Sequence, residues 1–477
     1  MALSAAALSG CASVNPKPAF EDVQKKVAGR TGQEARWIRT AQDADEVGRL
    51  VKTLLSEELT AEAAARVALL NNRSMQATLQ DIGISQADLA QASRVSNPDF
   101  HTFVRFPDRP PSGTNVELSL FQDFLDILVQ PLRKKVAAAQ LEQTKLQVGN
   151  EMLHLLAEAK TAYFTLVARL QLAERLELIR ELNQAGVDLA RRQHQAGNLN
   201  DLELLNHEAT LSQAKAEVAI ARAEARRDRE RLNRFMGVWG ADTGWKAASK
   251  LPAIPERETP FERLESLAIE QRLDIDAGRF GVDLVGRALA LRQKTRYFPI
   301  GIQVGIQHEK DTGGQRVTGP SLELQIPIFD TGKASIARLE AEYQRAQRQL
   351  EALAINARSE VREARDAMIA ARDLAGYYRS VLLPQRVQIL DQTQRHYNMM
   401  LKGAYDLLLA KQAEVAAEKA YIEAWRDYWI ARTDLERAVG GRLREADAAG
   451  DGQTTTPGAG PQSAGATGTR EDGGKNR

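Results

Sequence analysis

Residues 297–350 restrict the fold of this chain more than any other stretch, because their hydrophobic period changes abruptly. Ile300, Ile302, Val304 and Ile306 alternate with Gly301, Gln303, Gly305 and Gln307. After the turn-like Asp311-Thr312-Gly313-Gly314-Gln315, Leu322, Leu324, Ile326 and Ile328 alternate with Ser321, Glu323, Gln325 and Pro327. A period of two predicts strands near 298–307 and 320–329, each with one apolar and one polar face. Segments of this length and alternation also suit a hairpin of a transmembrane β-barrel, whose strands need about 9–11 residues. Past Asp330-Thr331-Gly332 the period becomes helical. Apolar and alanine positions then fall at 339, 343, 346, 350, 353, 357, 361, 364, 368, 371, 375, 378 and 382. Their mean step is close to 3.6, the signature of a nearly straight helix rather than a strongly supercoiled one.

The same plan occurs twice along the chain. From about Glu46 to Ser93 the pattern is helical, with Thr60 and Ser85 placed as N-caps ahead of Glu62 and Asp88. Asn97-Pro98 breaks it. Phe100, Thr102, Val104 and Phe106 then alternate as one strand, and Val116, Leu118 and Leu120 as a second. A helix is expected from Pro131, a favourable first-turn residue, to about His194, and a second from beyond Asn198 to about Phe235. The copy comprises a helix at 261–296, the strand pair above, a helix from Lys333 to about Tyr397 and another to about Val439. Correspondence is closest at the helix ends. His194, Gly197, Asn200 and Glu203-Leu204-Leu205 match Tyr397, Met400, Gly403 and Asp406-Leu407-Leu408 about 203 positions on. The expected organisation is a leader at 1–11, a polar tether at 12–45, repeats at 46–236 and 261–446, a Gly- and Pro-rich linker at 237–260, and a disordered tail at 447–477.

Composition narrows the class. Ala, Leu, Glu, Gln and Arg dominate the helical stretches, as in long helices. The net charge is +1 with acids and bases interspersed, so no basic patch argues for nucleic acid. No run of eighteen apolar residues offers a membrane-spanning helix. The one cysteine, Cys11, closes Leu8-Ser9-Gly10-Cys11 after an apolar run, like the lipobox that ends a bacterial lipoprotein signal peptide. The leader lacks a basic start, which leaves an incidental cysteine as the alternative. Four strands from one chain cannot close a barrel, and an open sheet edge cannot survive in lipid. Copies of the chain must then complete the sheet, and three would give twelve strands.

These features together resemble the TolC-like outer-membrane efflux protein family, and within it the lipoprotein members. The resemblance covers roughly 50–440 and rests on the duplicated helix–strand–strand–helix–helix plan and the junction Ile326-Pro327-Ile328-Phe329-Asp330-Thr331-Gly332. It rests also on the two matched helix ends and on Arg272-Leu273-Asp274-Ile275. It implies a mainly α fold with a membrane portion: a homotrimer sharing a twelve-stranded β-barrel in the outer membrane, continuous with a long periplasmic α-helical barrel. It further implies a passive exit duct fed by an inner-membrane pump through a periplasmic adaptor (membrane fusion) protein. By position, Glu203 and Asp406 fall where members carry the acids of a periplasmic gate, and Tyr397 and Lys402 where some carry a gate-closing tyrosine and base. Leu202 supplies no polar partner for Lys402, and Leu409 replaces a second acid, so the gate is expected to be held differently, mainly by Glu203 and Tyr397. Each of the four has the simpler alternative of a solvated helix-end side chain. In the barrel, Ile302, Val304, Leu324 and Ile326 are expected to face lipid, and Gln303, Gly305, Glu323 and Gln325 the lumen.

Other signals point away from catalysis. Asp330-Thr331-Gly332 matches an aspartic-protease triplet, but it leads into a long helix instead of a β-rich site with two carboxylates. The six histidines show no metal-ligand spacing, no phosphate-binding glycine loop is present, and no cofactor is expected. Two alternatives stay open from sequence: a lipid-anchored coiled-coil spacer of the periplasm, and the exit channel of a protein secretion system.

Overall fold

The computed structural model describes residues 14–111, 113–255, 262–296, 300–325 and 329–443. Cys11, Ile326 and the tail from 447 lie outside them, and Gln325 is described only as strand backbone. All elements named below belong to the larger of two units, within 1–254 and 261–442. In order they are α1 (Lys17–Thr31), α2 (Ala41–Ser56), β1 (Glu58–Leu59), α3 (Ala61–Asn71), α4 (Arg73–Thr78), α5 (Gln80–Ala92), β2 (Asp99–Arg105), β3 (Asn115–Asp123) and α6 (Phe124–Gln195). Then come α7 (Asp201–Met236), β4 (Lys246–Ala247), α8 (Leu264–Gln271), α9 (Leu273–Thr295), β5 (Ile300–Lys310), β6 (Arg316–Gln325), α10 (Lys333–Tyr377), α11 (Leu383–Asn398) and α12 (Ala404–Val439).

Helix α6 runs for 72 residues, roughly 110 Å at 1.5 Å per residue. It starts earlier than Pro131, because the Asp123 side chain accepts from the Asp126 N–H at 3.0 Å and caps the first turn. Pro131 therefore lies inside the helix and forgoes one backbone hydrogen bond. A second proline shapes the partner rod. Between α10 and α11 the backbone widens into one π-helical turn at Tyr378–Leu382, and the Leu383 N–H donates to Tyr378 O. Pro384 follows immediately and cannot donate, so the wider turn keeps the helix continuous across it.

The stripe read from sequence between 339 and 382 is real: every one of its positions is buried or half-buried. It packs on α9 and α12. Small residues on α9 admit the large ones, with Gly278 against Leu350 and Leu353 and Gly286 against Tyr343. The duplication is also exact in backbone detail. Helices α7 and α12 each have 36 residues and start and end 203 positions apart. Both stop at a left-handed glycine, Gly237 or Gly440, which bonds back to Arg234 O or Arg437 O.

The core lies where the short helices cross α6. In α3, Ala64, Ala65, Val67, Ala68 and Leu69 are wholly buried. Tyr163 of α6 reaches through this layer and donates to Leu59 O at 2.6 Å, while burial pushes its phenol up to about 12. Strand β4 pairs in parallel with β1, and Trp245 and Leu251 enter the same core, so this part of the linker is packed.

Three further sequence expectations are corrected. The polar stretch expected as a tether contains α1, whose Phe20, Val23 and Val27 are buried against α6 beneath a charged exterior. Those apolar residues are spaced for one helix face, but the surrounding Lys, Glu and Gln hide them in a composition reading. Ser85 is not a cap. It lies inside α5 and donates to Thr144 Oγ1 of α6 at 3.0 Å, whereas Thr60 does cap α3. The helix expected at 261–296 is two, parted at Arg272. Arg272 ion-pairs with Asp274 at 2.7 Å and Glu360 of α10 at 2.5 Å, tying that break to the second rod.

Candidate functional site

Two regions carry the chemistry that the sequence singled out, the sheet and the helix tips. Strands β2, β3, β5 and β6 form one antiparallel sheet in that order among the described residues. The two hairpins are joined through β3 and β5, with Leu120 opposite Ile306 and Gln122 opposite Val304. The β5–β6 register sets Gln303 opposite Glu323, Val304 opposite Leu322 and Gly305 opposite Ser321, with a bulge between Ile300 and Gln303. Cross-strand partners share a face. One face therefore carries Phe100, Val104, Leu118, Leu120, Val304, Ile306, Leu322 and Leu324.

That face is open. Val304 is 47% exposed, Ile306 62% and Leu322 63%. On the inner strands β3 and β5 the opposite, polar face is the covered one, with Asn115 8% and Ser119 5% exposed. Several of its groups bond one another, although Ser321 Oγ on β6 is buried without a hydrogen bond. Arg105 pairs with Glu117 at 3.2 Å, Asn115 donates to Glu309 Oε1 at 2.7 Å, and Gln307 donates to Glu117 Oε1. Gly305 lies on this face beneath Phe121, where a Cβ would stand 2.6 Å from the ring and 2.5 Å from Leu120 O. A water-soluble sheet covers its apolar face and wets its polar one. The inner strands of this sheet do the reverse.

At the tips, Gly197 and Met400 both adopt left-handed backbone, at φ 75° and 61°. The hydrogen bonds around them recur 203 positions apart: Asn198 to Gln193 O and Leu401 to His396 O, both 2.9 Å. Glu203 and Asp406 perform the same local task. Each carboxylate accepts from the backbone N–H three residues earlier, Asn200 at 3.4 Å and Gly403 at 3.0 Å, closing the first turn of α7 and α12. Lys402 reaches Asp406 at 3.5 Å on its own turn. Tyr397 is 40% exposed, and among the described residues of one chain its hydroxyl has no bond to Glu203.

The residues that hold the tips together were not found from sequence. Tyr405 of α12 donates to Gln193 Oε1 of α6 at 3.0 Å and stacks on His207 of α7 at 4.5 Å between ring centres. Burial and the nearby Glu203 charge push its phenol up. Further along the same helix pair, Gln412 donates to Asn183 at 2.6 Å and Arg175 pairs with Glu418 at 3.2 Å. The available signal was the spacing of Tyr405, Gln412 and Glu418 at about seven residues on one helix, as in coiled-coil flanks. Asp330-Thr331-Gly332 is a turn: Asp330 Oδ1 accepts from the Gly332 N–H at 2.8 Å, and Gly332, at φ 72°, starts α10. No group of three or more metal-ligating side chains occurs, and no helix is long and apolar enough to cross a membrane, among the described residues.

Residues 264–441 match the family described as outer membrane efflux protein. The sequence matches no curated protein. In fold the chain is similar to a membrane protein from Pseudomonas aeruginosa, at 20% identity and TM-score 0.64 over 83% of this chain and 93% of that one. It is similar to the Campylobacter jejuni CmeC outer membrane channel, at 15% identity and TM-score 0.68 over 89% and 92%. The open state of the Neisseria gonorrhoeae MtrE outer membrane channel gives 19% identity and TM-score 0.63 over 80% and 89%. The expected resemblance thus holds for the fold of most of the chain and for the sequence of its second repeat.

Proposed function

We propose that a chain with this mainly helical outer-membrane channel fold works as one third of a homotrimeric exit duct of a bacterial efflux system. The reversed sheet is the observation that carries this reading. An apolar face left open, with a polar face covered and internally bonded, suits a sheet whose solvent outside is lipid and whose inside is water. β2 and β6 are edge strands with unpaired backbone groups, which lipid does not tolerate. Joining β6 of one copy to β2 of the next closes a ring of twelve strands with no edge.

In that ring Ile302, Val304 and Leu324 face lipid with Ile326, and Gln303, Gly305 and Glu323 face the lumen with Gln325. The helices leave one end of the sheet into the periplasm and enclose the rest of the duct. Glu203 and Asp406 stand at its far mouth, with Tyr397 and Lys402 beside them as gate candidates. The exposed Leu202, Leu205, Met399, Met400 and Leu401 give that mouth an apolar rim for a periplasmic adaptor protein. The duct is passive and receives substrate from an inner-membrane pump. Cys11 carries a lipid anchor ahead of the chain that leads to α1. The test is reconstitution of purified full-length protein into planar bilayers, with its oligomeric state measured by native mass spectrometry. A trimer with stepwise conductance is expected. A monomer that conducts nothing would favour a periplasmic spacer instead.

A further inference from the structure

The open face of the sheet changes character along its length. On β5 it runs Val304, Ile306, His308, Lys310, and on β6 Leu324, Leu322, Pro320, Thr318, Arg316. Apolar residues thus occupy the end near the helices. Next comes a polar tie, His308 Nδ1 to Thr318 Oγ1 at 2.7 Å. At the turn end Lys310 stands directly opposite Arg316. Both are exposed, and among the described residues neither has an ion pair or a hydrogen bond from its side chain. Like charges directly opposite across two strands destabilise a sheet.

No carboxylate of the strands shares this face. Asp99, Glu117, Asp123, Glu309 and Glu323 all alternate onto the other one. Glu117 and Glu309 are already held there by Arg105, Gln307 and Asn115. Asp311 is next to Lys310 in sequence, but its carboxylate accepts from the Gln315 N–H at 2.8 Å and so fastens the turn. Among the described residues of one chain, the pair therefore has a net charge with no carboxylate bonded to it. It lies beyond an apolar band, on the side away from the helices.

We propose that Lys310 and Arg316 form a binding site for the phosphate group of an anionic lipid in the leaflet facing away from the helices. The site rests on the barrel reading above. The phosphate sits between the two cations and removes their mutual repulsion, and the acyl chains of the same lipid lie along Ile306, Pro320 and Leu322. Free phosphate would meet the same two charges without the apolar contact.

The test uses full-length protein in detergent, titrated with diacyl phosphatidic acid, with phosphatidylcholine of the same chains, and with inorganic phosphate. Bound lipid per trimer is read by native mass spectrometry. Phosphatidic acid is expected to bind the wild type, and Lys310→Gln with Arg316→Gln to weaken it about thirtyfold. Lys310→Arg with Arg316→Lys keeps both charges and should bind as the parent does, which separates loss of charge from loss of folding. Equal binding of phosphatidylcholine, or displacement of the lipid by inorganic phosphate at matched concentration, would overturn the lipid site. A conducting, trimeric wild type whose double glutamine variant binds undiminished sinks this site alone. A wild type that neither trimerises nor conducts sinks the channel reading with it.

Discussion

Arginine placed at two neighbouring positions of β5 gives the sharpest test of which face meets lipid. Val304 is on the open face, between Gln122 of β3 and Leu322 of β6. It is four residues past Ile300, so it stands about 13 Å along the strand at 3.3 Å per residue, or about 10 Å along the membrane normal at a tilt of about 40°. That is near the middle of an apolar band of about 25 Å, where a lipid-facing arginine costs about 2–4 kcal/mol. The proposed trimer would carry three copies, for a total of about 6–12 kcal/mol, comparable to the whole stability of an ordinary domain. Val304→Arg should therefore abolish assembly. Gln303 is one residue away but faces Asp123 on one side and Glu323 on the other. Gln303→Arg gains two carboxylate neighbours and should assemble normally, with lower conductance to cations. Assembly is measured as the heat-dissociable trimer on gels of outer membranes, and conductance in planar bilayers. Equal damage from both substitutions, or damage from Gln303→Arg alone, would refute the assignment of faces.

Three further outcomes are expected. Tyr405→Phe removes the bond to Gln193 across the tips, worth about 1 kcal/mol per copy, and should raise channel open probability more than Tyr397→Phe does. An unchanged single-channel record would show that this contact does not hold the mouth. Glu203→Gln with Asp406→Asn should weaken block by multivalent cations added on the helical side, since in the proposed trimer six carboxylates there would attract cations over a screening length of about 10 Å at 0.1 M salt; undiminished block would place the acids off the pore. For Asp22, burial pushes the carboxyl up, but the hydrogen bonds and charges of Lys145, at 2.7 Å, and Lys26 outweigh it and leave it below its usual range. Its stabilising effect is thus present above the unfolded value near 3.9 and lost as pH falls through the folded one. Asp22→Asn should loosen α1 by about 1 kcal/mol at neutral pH, a modest figure because Asp22 is partly exposed. Hydrogen exchange of α1 that is the same in variant and parent would count against this pair.

Periodicity made some of the structure legible. Alternation along β5 and β6, and the 3.6-residue stripe of α10, are local patterns that reflect which side of an element is covered, and both appear in the fold. The matched helix ends were also readable, because a left-handed turn and a capping acid leave residue types at fixed offsets. The roles given to Glu203 and Asp406 went beyond this. What the single chain displays for both is a cap, a task that the same acids at the same offset perform on any helix.

By itself the sequence determined that two copies of a helix–strand–strand–helix–helix plan exist, and that each strand has a polar and an apolar face. These follow from spacing along the chain. Tertiary structure alone decided what that spacing does not encode. It brought β3 beside β5, nearly two hundred residues away, and so turned two hairpins into one two-faced sheet. It drew α1 onto α6 although charged residues masked its apolar face, because packing selects a few side chains and not an average. It also set Tyr405 against Gln193, 212 positions apart. A contact between helices depends on their relative rotation and height, and neither is written in the sequence of either helix alone.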